Sequence, residues 1–334
     1  MEKAAVLGAG SFGTALGFVL AEKGYRTALW TRNASAEEEI NFRSRNERYL
    51  PGFALPENLK ASQDLKEVLE DARMVLFVLP TRELSCVASE CREFLPPDVP
   101  LIVASKGIER KTLRLPPRIM EDALPAALHE NLAYLSGPSF AGEIIQRLPT
   151  VVCIASRNEK TARRAQHGIA HDYFRVYWSP DTTGVELGGA LKNVIAIAAG
   201  VSDGLGMGHN TRAAIITRGL REITRLGKAM GADPMTFMGL SGLGDLVLTC
   251  TADLSRNRTL GFELGRGRGL EEILAGRRQT VEGVETAESA HALSGKLGVE
   301  MAITREVYRL LYEGSAPGDA VRSLMERELK QETT

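Results

Sequence analysis

Cysteine is scarce in this chain: the four present, Cys86, Cys91, Cys153 and Cys250, are scattered through apolar segments. That excludes a disulfide framework and predicts reduced core thiols of a cytoplasmic protein. Unbroken apolar runs are short. Stretches such as residues 194–201 fall far below the ~20 residues that span a bilayer, so no membrane insertion is expected. Neither sign of charge prevails, since 41 basic residues face 42 acidic ones. With no long run of either sign, nonspecific binding to nucleic acid is disfavoured. A strand begins almost at the first residue, leaving no room for a secretory signal. Of the few histidines, His167 and His171 have helical i, i+4 spacing but no third ligand nearby. No metal is expected, and a helix face is the better reading. Internal repeats and low-complexity linkers are also missing. What remains is a chain of 334 residues, 44% hydrophobic and 25% charged, ordinary in composition and long enough for two domains.

What is present is most informative at the start. Residues 4–13, AAVLGAGSFG, run from an apolar strand into a Gly-x-Gly-x-x-Gly turn, and 14–20 read as the following helix. In such a turn Gly8 allows the bend, Gly10 lets backbone approach a pyrophosphate, and Gly13 lets helix and strand pack closely. The free N–H groups of the helix start would hold phosphates. A site preferring NAD usually places an acid about 20 residues further on, to accept from the ribose 2′-hydroxyl. Here the next strand, 25–30, ends in Thr31, Arg32 and Asn33, with no carboxylate before Glu37. Arg32 could pair with a 2′-phosphate through its fork, which favours NADP(H) with NAD(H) tolerated. The alternative is a solvated loop charge.

The first half alternates strands and helices. Residues 74–79 and 101–104 are continuous apolar runs bounded by turns, as in parallel strands covered on both faces; 132–135 and 150–155 extend the sheet, and after 174–177 the character changes. The turns after two of these strands, Pro80-Thr81-Arg82 and Ser105-Lys106-Gly107, should face the nicotinamide half of the cofactor. Beyond Pro180 the pattern becomes helical, with candidates at 183–201, 211–230, 256–264, 284–297 and 303–311. The expected plan is therefore α/β: an N-terminal Rossmann-type doubly wound sheet over 1–180, then a mostly α-helical substrate domain over 181–334.

Three oddities carry chemistry. The segment 183–201 is apolar nearly all round and should be buried, and its glycines Gly188 and Gly189 permit close approach by another backbone. Lys192 is its only cation. A buried ammonium has either a lowered pKa or an anionic partner, and both suit a proton donor near neutral pH. A lysine snorkelling to water is the alternative. Asp245 alone interrupts the apolar run LSGLGDLVL, so it should meet a cation, Lys192 being the natural one, or else cap a helix. Ser255, Arg256 and Asn257 open a helix, with Ser255 as N-cap and the following N–H groups pointing outward. That is a phosphate site, or a plain cap with solvated arginines. Gly137 to Ala141 (GPSFA) follow a strand and can offer N–H groups and the Ser139 hydroxyl to a small polar substrate.

Taken together, GAGSFGTAL, ASKGIE, SGPSFA, GVELGGALKNVIAIAAGVSDGLG, TFMGLSGLGDLVLTC, SRNR and VEGVETA resemble the bacterial NAD(P)-dependent glycerol-3-phosphate dehydrogenase family, in family order and spacing. The resemblance implies reversible reduction of dihydroxyacetone phosphate to sn-glycerol 3-phosphate, a phospholipid head-group precursor. By position it makes Lys192 the proton donor and acceptor. It gives Lys106, Gly137, Ser139, Asp245, Ser255, Arg256 and Asn257 to the substrate. It gives Ser11, Phe12, Arg32, Lys106, Ala141, Arg256, Val281 and Glu282 to the dinucleotide, besides the three glycines. It also implies a homodimer. The competing readings are a related hydroxyacid or phosphogluconate dehydrogenase and a dinucleotide sensor without catalysis.

Overall fold

The computed structural model describes residues 1–275, 281–326, 328 and 331. Eight strands among them form one sheet. They are β1 (Lys3–Leu7), β2 (Arg26–Trp30), β3 (Leu59–Ser62), β4 (Ala72–Phe77), β5 (Leu101–Val103), β6 (Leu132–Ser136), β7 (Thr150–Ala155) and β8 (Phe174–Ser179). Across the sheet they lie in the order β3-β2-β1-β4-β5-β6-β7-β8. The first six are parallel. β7 meets β6 antiparallel and pairs with β8 parallel. Val6, Leu7, Val75, Leu76 and Phe77 are fully buried, as strands covered on both faces must be.

The helices of this half are α1 (Ser11–Glu22), α2 (Ala34–Arg43), α3 (Leu65–Leu69), α4 (Thr81–Cys91), α5 (Pro116–Ala123), α6 (Ala141–Ile145) and α7 (Glu159–Ile169). Asn33, Asp64 and Asn158 cap α2, α3 and α7 by accepting from backbone N–H groups of the first turn. After β8 come α8 (Thr182–Gly204), α9 (Gly208–Ala229), α10 (Asp245–Thr251), α11 (Arg256–Gly265), α12 (Leu270–Ala275), α13 (Glu282–Leu297), α14 (Ala302–Tyr312) and α15 (Pro317–Met325). A second core gathers around α8, where Leu191, Val194 and Ile195 pack with Leu226, Phe237, Leu246 and Leu260.

Helix α8 is long and apolar enough to cross a bilayer by composition, which a count of unbroken runs misses because Glu186, Lys192 and Asn193 interrupt it. Its apolar window is 94% buried inside the protein, so that surface belongs to the core. Glycines bring α8 and α11 into backbone contact. A Cβ on Gly200 or Gly204 would stand 2.0 or 2.3 Å from a carbonyl oxygen of α11, and one on Gly261 or Gly265 would stand 2.1 or 2.4 Å from one of α8. Gly188 likewise lets the Ser241 carbonyl approach to 2.5 Å from where a Cβ would be, while Gly189 faces the Ser136 hydroxyl instead.

Several expectations shift. β4 stops at Phe77, so Val78 and Leu79 belong to the turn. Cys86 is exposed and is no core thiol, whereas Cys91, Cys153 and Cys250 are buried. Residues 240–244 form a π-helical turn leading directly into α10, and α13 begins at Glu282.

Candidate active site

Strand order reverses between β1 and β4, so a crevice opens at their carboxyl ends. The three glycines of the first turn serve different ends there. Gly8 has φ +125° and a Cβ on it would lie 2.2 Å from the Val78 carbonyl oxygen; one on Gly13 would lie 1.9 Å from the Gly8 oxygen. Gly10 meets nothing within 4 Å, so its bare side opens on the cleft. α1 starts at Ser11 with no acidic residue in its first turn and no side-chain cap. Its N–H groups and positive dipole end are thus available to an anion, and the cradle fits a dinucleotide pyrophosphate. The Ser11 hydroxyl donates to the Tyr49 carbonyl at 3.0 Å, and Phe12 packs on the neighbouring core. At the far end Arg32, 65% exposed, stands over the Trp30 ring and 3.2 Å from Glu83.

The cleft, about 530 Å³, runs from these residues to Lys106, Ala141, Lys192 and Arg256 in the helical half. At its inner end two lysines share one carboxylate. Lys192 Nζ donates to Asp245 Oδ1 at 2.6 Å and to Thr249 Oγ1 at 3.0 Å; Lys106 Nζ donates to Asp245 Oδ2 at 2.7 Å. Asp245 is 1% exposed and lies beneath the two ammonium groups, outside the cleft wall. Its contacts with both ammonium groups suit an orienting role. Burial pushes the Lys192 ammonium down to about 8, against the pull of Asp245 and with added push from Lys106. Burial alone would raise the Asp245 carboxyl, but the two lysines outweigh it and hold it below the usual range. Two cations on one anion leave a net positive site.

Backbone geometry fixes the rest. Gly137 has φ +138° and lies against Val152, with no room for a side chain. Its carbonyl accepts from Lys106 Nζ at 3.4 Å and from the Ser139 hydroxyl at 2.9 Å. Ser255 caps α11 by accepting from the Arg258 N–H, and Arg256 reaches the cleft. Asn257 donates to Asn193 Oδ1 at 2.9 Å and accepts the Gly283 N–H at 2.9 Å. Glu282 also lines the cleft, and burial raises its carboxyl against the pull of Arg256. Val281, next to Glu282, is buried in the second core. Asn193 and Thr249 were not singled out from sequence, although one adjoins Lys192 and the other follows Asp245 by one helical turn. Glu186 was missed as well. It is 1% exposed, neither carboxylate oxygen has a hydrogen-bond partner, and burial raises it far above the usual range. Burial thus favours its protonated form. Among the described residues no group of His, Cys, Asp or Glu is arranged for a metal.

Two family models match the chain, the NAD-dependent glycerol-3-phosphate dehydrogenase N-terminus over residues 3–162 and C-terminus over 181–322. A glycerol-3-phosphate dehydrogenase (NAD(P)+) of Leptospira biflexa is 56% identical over 99% of each chain. One from Myxococcus xanthus is 51% identical over 99% of this chain and 98% of its own. The crystal structure of glycerol-3-phosphate dehydrogenase from Coxiella burnetii superposes with TM-score 0.92 at 40% identity, covering 98% of this chain and 99% of that one. A ketopantoate reductase from Ralstonia eutropha, TM-score 0.59 at 16% identity, shares the fold. The chain belongs to the NAD-dependent glycerol-3-phosphate dehydrogenase family.

Proposed function

We propose that this protein reversibly reduces dihydroxyacetone phosphate to sn-glycerol 3-phosphate with NADPH, NADH also being accepted, and so feeds glycerophospholipid synthesis. The observation that carries the reading is the Lys192–Asp245–Lys106 clamp at the inner end of the cleft that begins at the glycine turn. A sensor of dinucleotides has no use for a buried amine poised to exchange a proton there. The domain division falls near Pro180, between β8 and α8.

Gly8, Gly10, Gly13 and the start of α1 would hold the pyrophosphate, Arg32 the 2′-phosphate, and Ala141 and Glu282 the nicotinamide side. The reduced nicotinamide, when bound, supplies hydride to the ketone carbon. Lys192 holds a proton at Nζ and delivers it to the ketone oxygen as negative charge grows there. Lys106 adds positive field, and Asp245 with Thr249 fixes the direction of the amine. Ser255, Arg256, Asn257 and the start of α11 anchor the phosphate away from the reacting carbon, with Gly137 and Ser139 shaping the wall between. That anchoring converts binding energy into orientation.

The test is NADPH oxidation with dihydroxyacetone phosphate, followed by absorbance. Arg256→Ala is expected to raise KM for that substrate at least ~10-fold, the scale of one charge-assisted contact, with a smaller effect on kcat. An unchanged KM would remove Arg256 from the phosphate site. We also assign the protein to the cytoplasm as a homodimer. Three buried free cysteines favour the compartment, and exposed apolar Met235, Met238, Leu243 and Val247 on adjoining segments favour association. Sedimentation at a single chain's mass would exclude the dimer.

A further inference from the structure

No carboxylate stands in the turn between β2 and α2, yet one reaches the same place from another element. Glu83, in the first turn of α4, puts Oε2 3.2 Å from Arg32 Nη1. Arg82 also approaches Glu83, at 3.5 Å, but its Nη1 is given to Glu285 at 2.6 Å. Arg32 is therefore the cation that Glu83 holds on the cleft side. Its guanidinium stands over Trp30, and Trp30, Arg32 and Asn33 all line the cleft.

The geometry points to Glu83 as a specificity-determining residue for the dinucleotide: it competes with the 2′-phosphate for Arg32, restrains the preference for NADPH, and leaves NADH admissible. The inference rests on the assignment of Arg32 to the 2′-phosphate. A 2′-phosphate carries nearly two negative charges and must draw Arg32 away from a carboxylate or tolerate that carboxylate beside it. A 2′-hydroxyl meets no such repulsion. Arg32 is well exposed, so water and salt keep the effect severalfold.

Adenosine 2′,5′-bisphosphate and adenosine 5′-monophosphate report this without any chemistry. Titration calorimetry of the wild type, Glu83→Gln and Arg32→Ala separates the possibilities. Glu83→Gln is expected to bind the bisphosphate about three- to tenfold tighter, the scale of one surface charge contact, and the monophosphate unchanged. The gain shrinks at high salt, and the ratio of kcat/KM for NADPH over NADH rises by the same factor. If Arg32→Ala binds both probes as the wild type does, the 2′-phosphate assignment itself fails. If Arg32→Ala weakens the bisphosphate while Glu83→Gln alters neither probe, the competition alone is overturned. Weaker monophosphate binding in Glu83→Gln overturns it too, because the carboxylate would then be a ribose ligand.

Discussion

Replacing Lys192 by alanine is expected to lower kcat at least ~100-fold, the usual scale for a lost acid–base group. The fold should survive, because the neighbouring Lys106 still pairs with Asp245 at 2.7 Å. The wild type supplies the second readout. Lys192 titrates near 8, and ketone reduction needs the ammonium while alcohol oxidation needs the free amine. Reduction should therefore fall as pH rises through about 8, and oxidation should rise through the same range. In Lys192→Ala the residual rate should lose that limb in both directions. Lys192→Arg should not rescue, since a guanidinium keeps its proton throughout this range. Near-normal turnover in the alanine variant would remove Lys192 from the mechanism.

Much of this was legible in the residues themselves. The glycine turn announced its task because each glycine answers a steric demand, and the contacts at Gly8 and Gly13 are those demands made visible. Lys192 stood out because a cation in an apolar helix needs an explanation. Asp245 was the natural partner for the same reason. Its second lysine was not legible: Lys106 lies on a turn in the other half, and only the packing of α8 against β6 and of the 240–244 turn against Gly188 brings the three together. Thr249 and Asn193 were hidden because small polar residues are common in helices. β3 escaped because LKAS is a four-residue edge strand with Lys60 exposed between buried Leu59 and Ala61. The reversal at β7 was equally silent. An apolar strand such as TVVCIA carries no mark of direction, and the short link through α6 sets it by geometry alone.

Asp245→Asn should have the widest consequences, because one buried carboxylate serves two ammonium groups. With it neutralised, Lys106 and Lys192 face each other with only an amide between them. Removing one partner of a buried ion pair typically costs about 3–5 kcal/mol, so thermal melting should move well down. The more discriminating result concerns the proton. Asp245 pulls the Lys192 ammonium up while burial and Lys106 push it down; without that pull its pKa falls further. The limb in ketone reduction near 8 should then move to lower pH, and activity lost at pH 8 should return in part on acidification. A variant that merely loosened the fold would lose rate evenly across pH. One in which Asp245 had bound the substrate would show a raised KM with the limb in place. Either pattern would break the link drawn between the shared carboxylate and the proton held at Lys192.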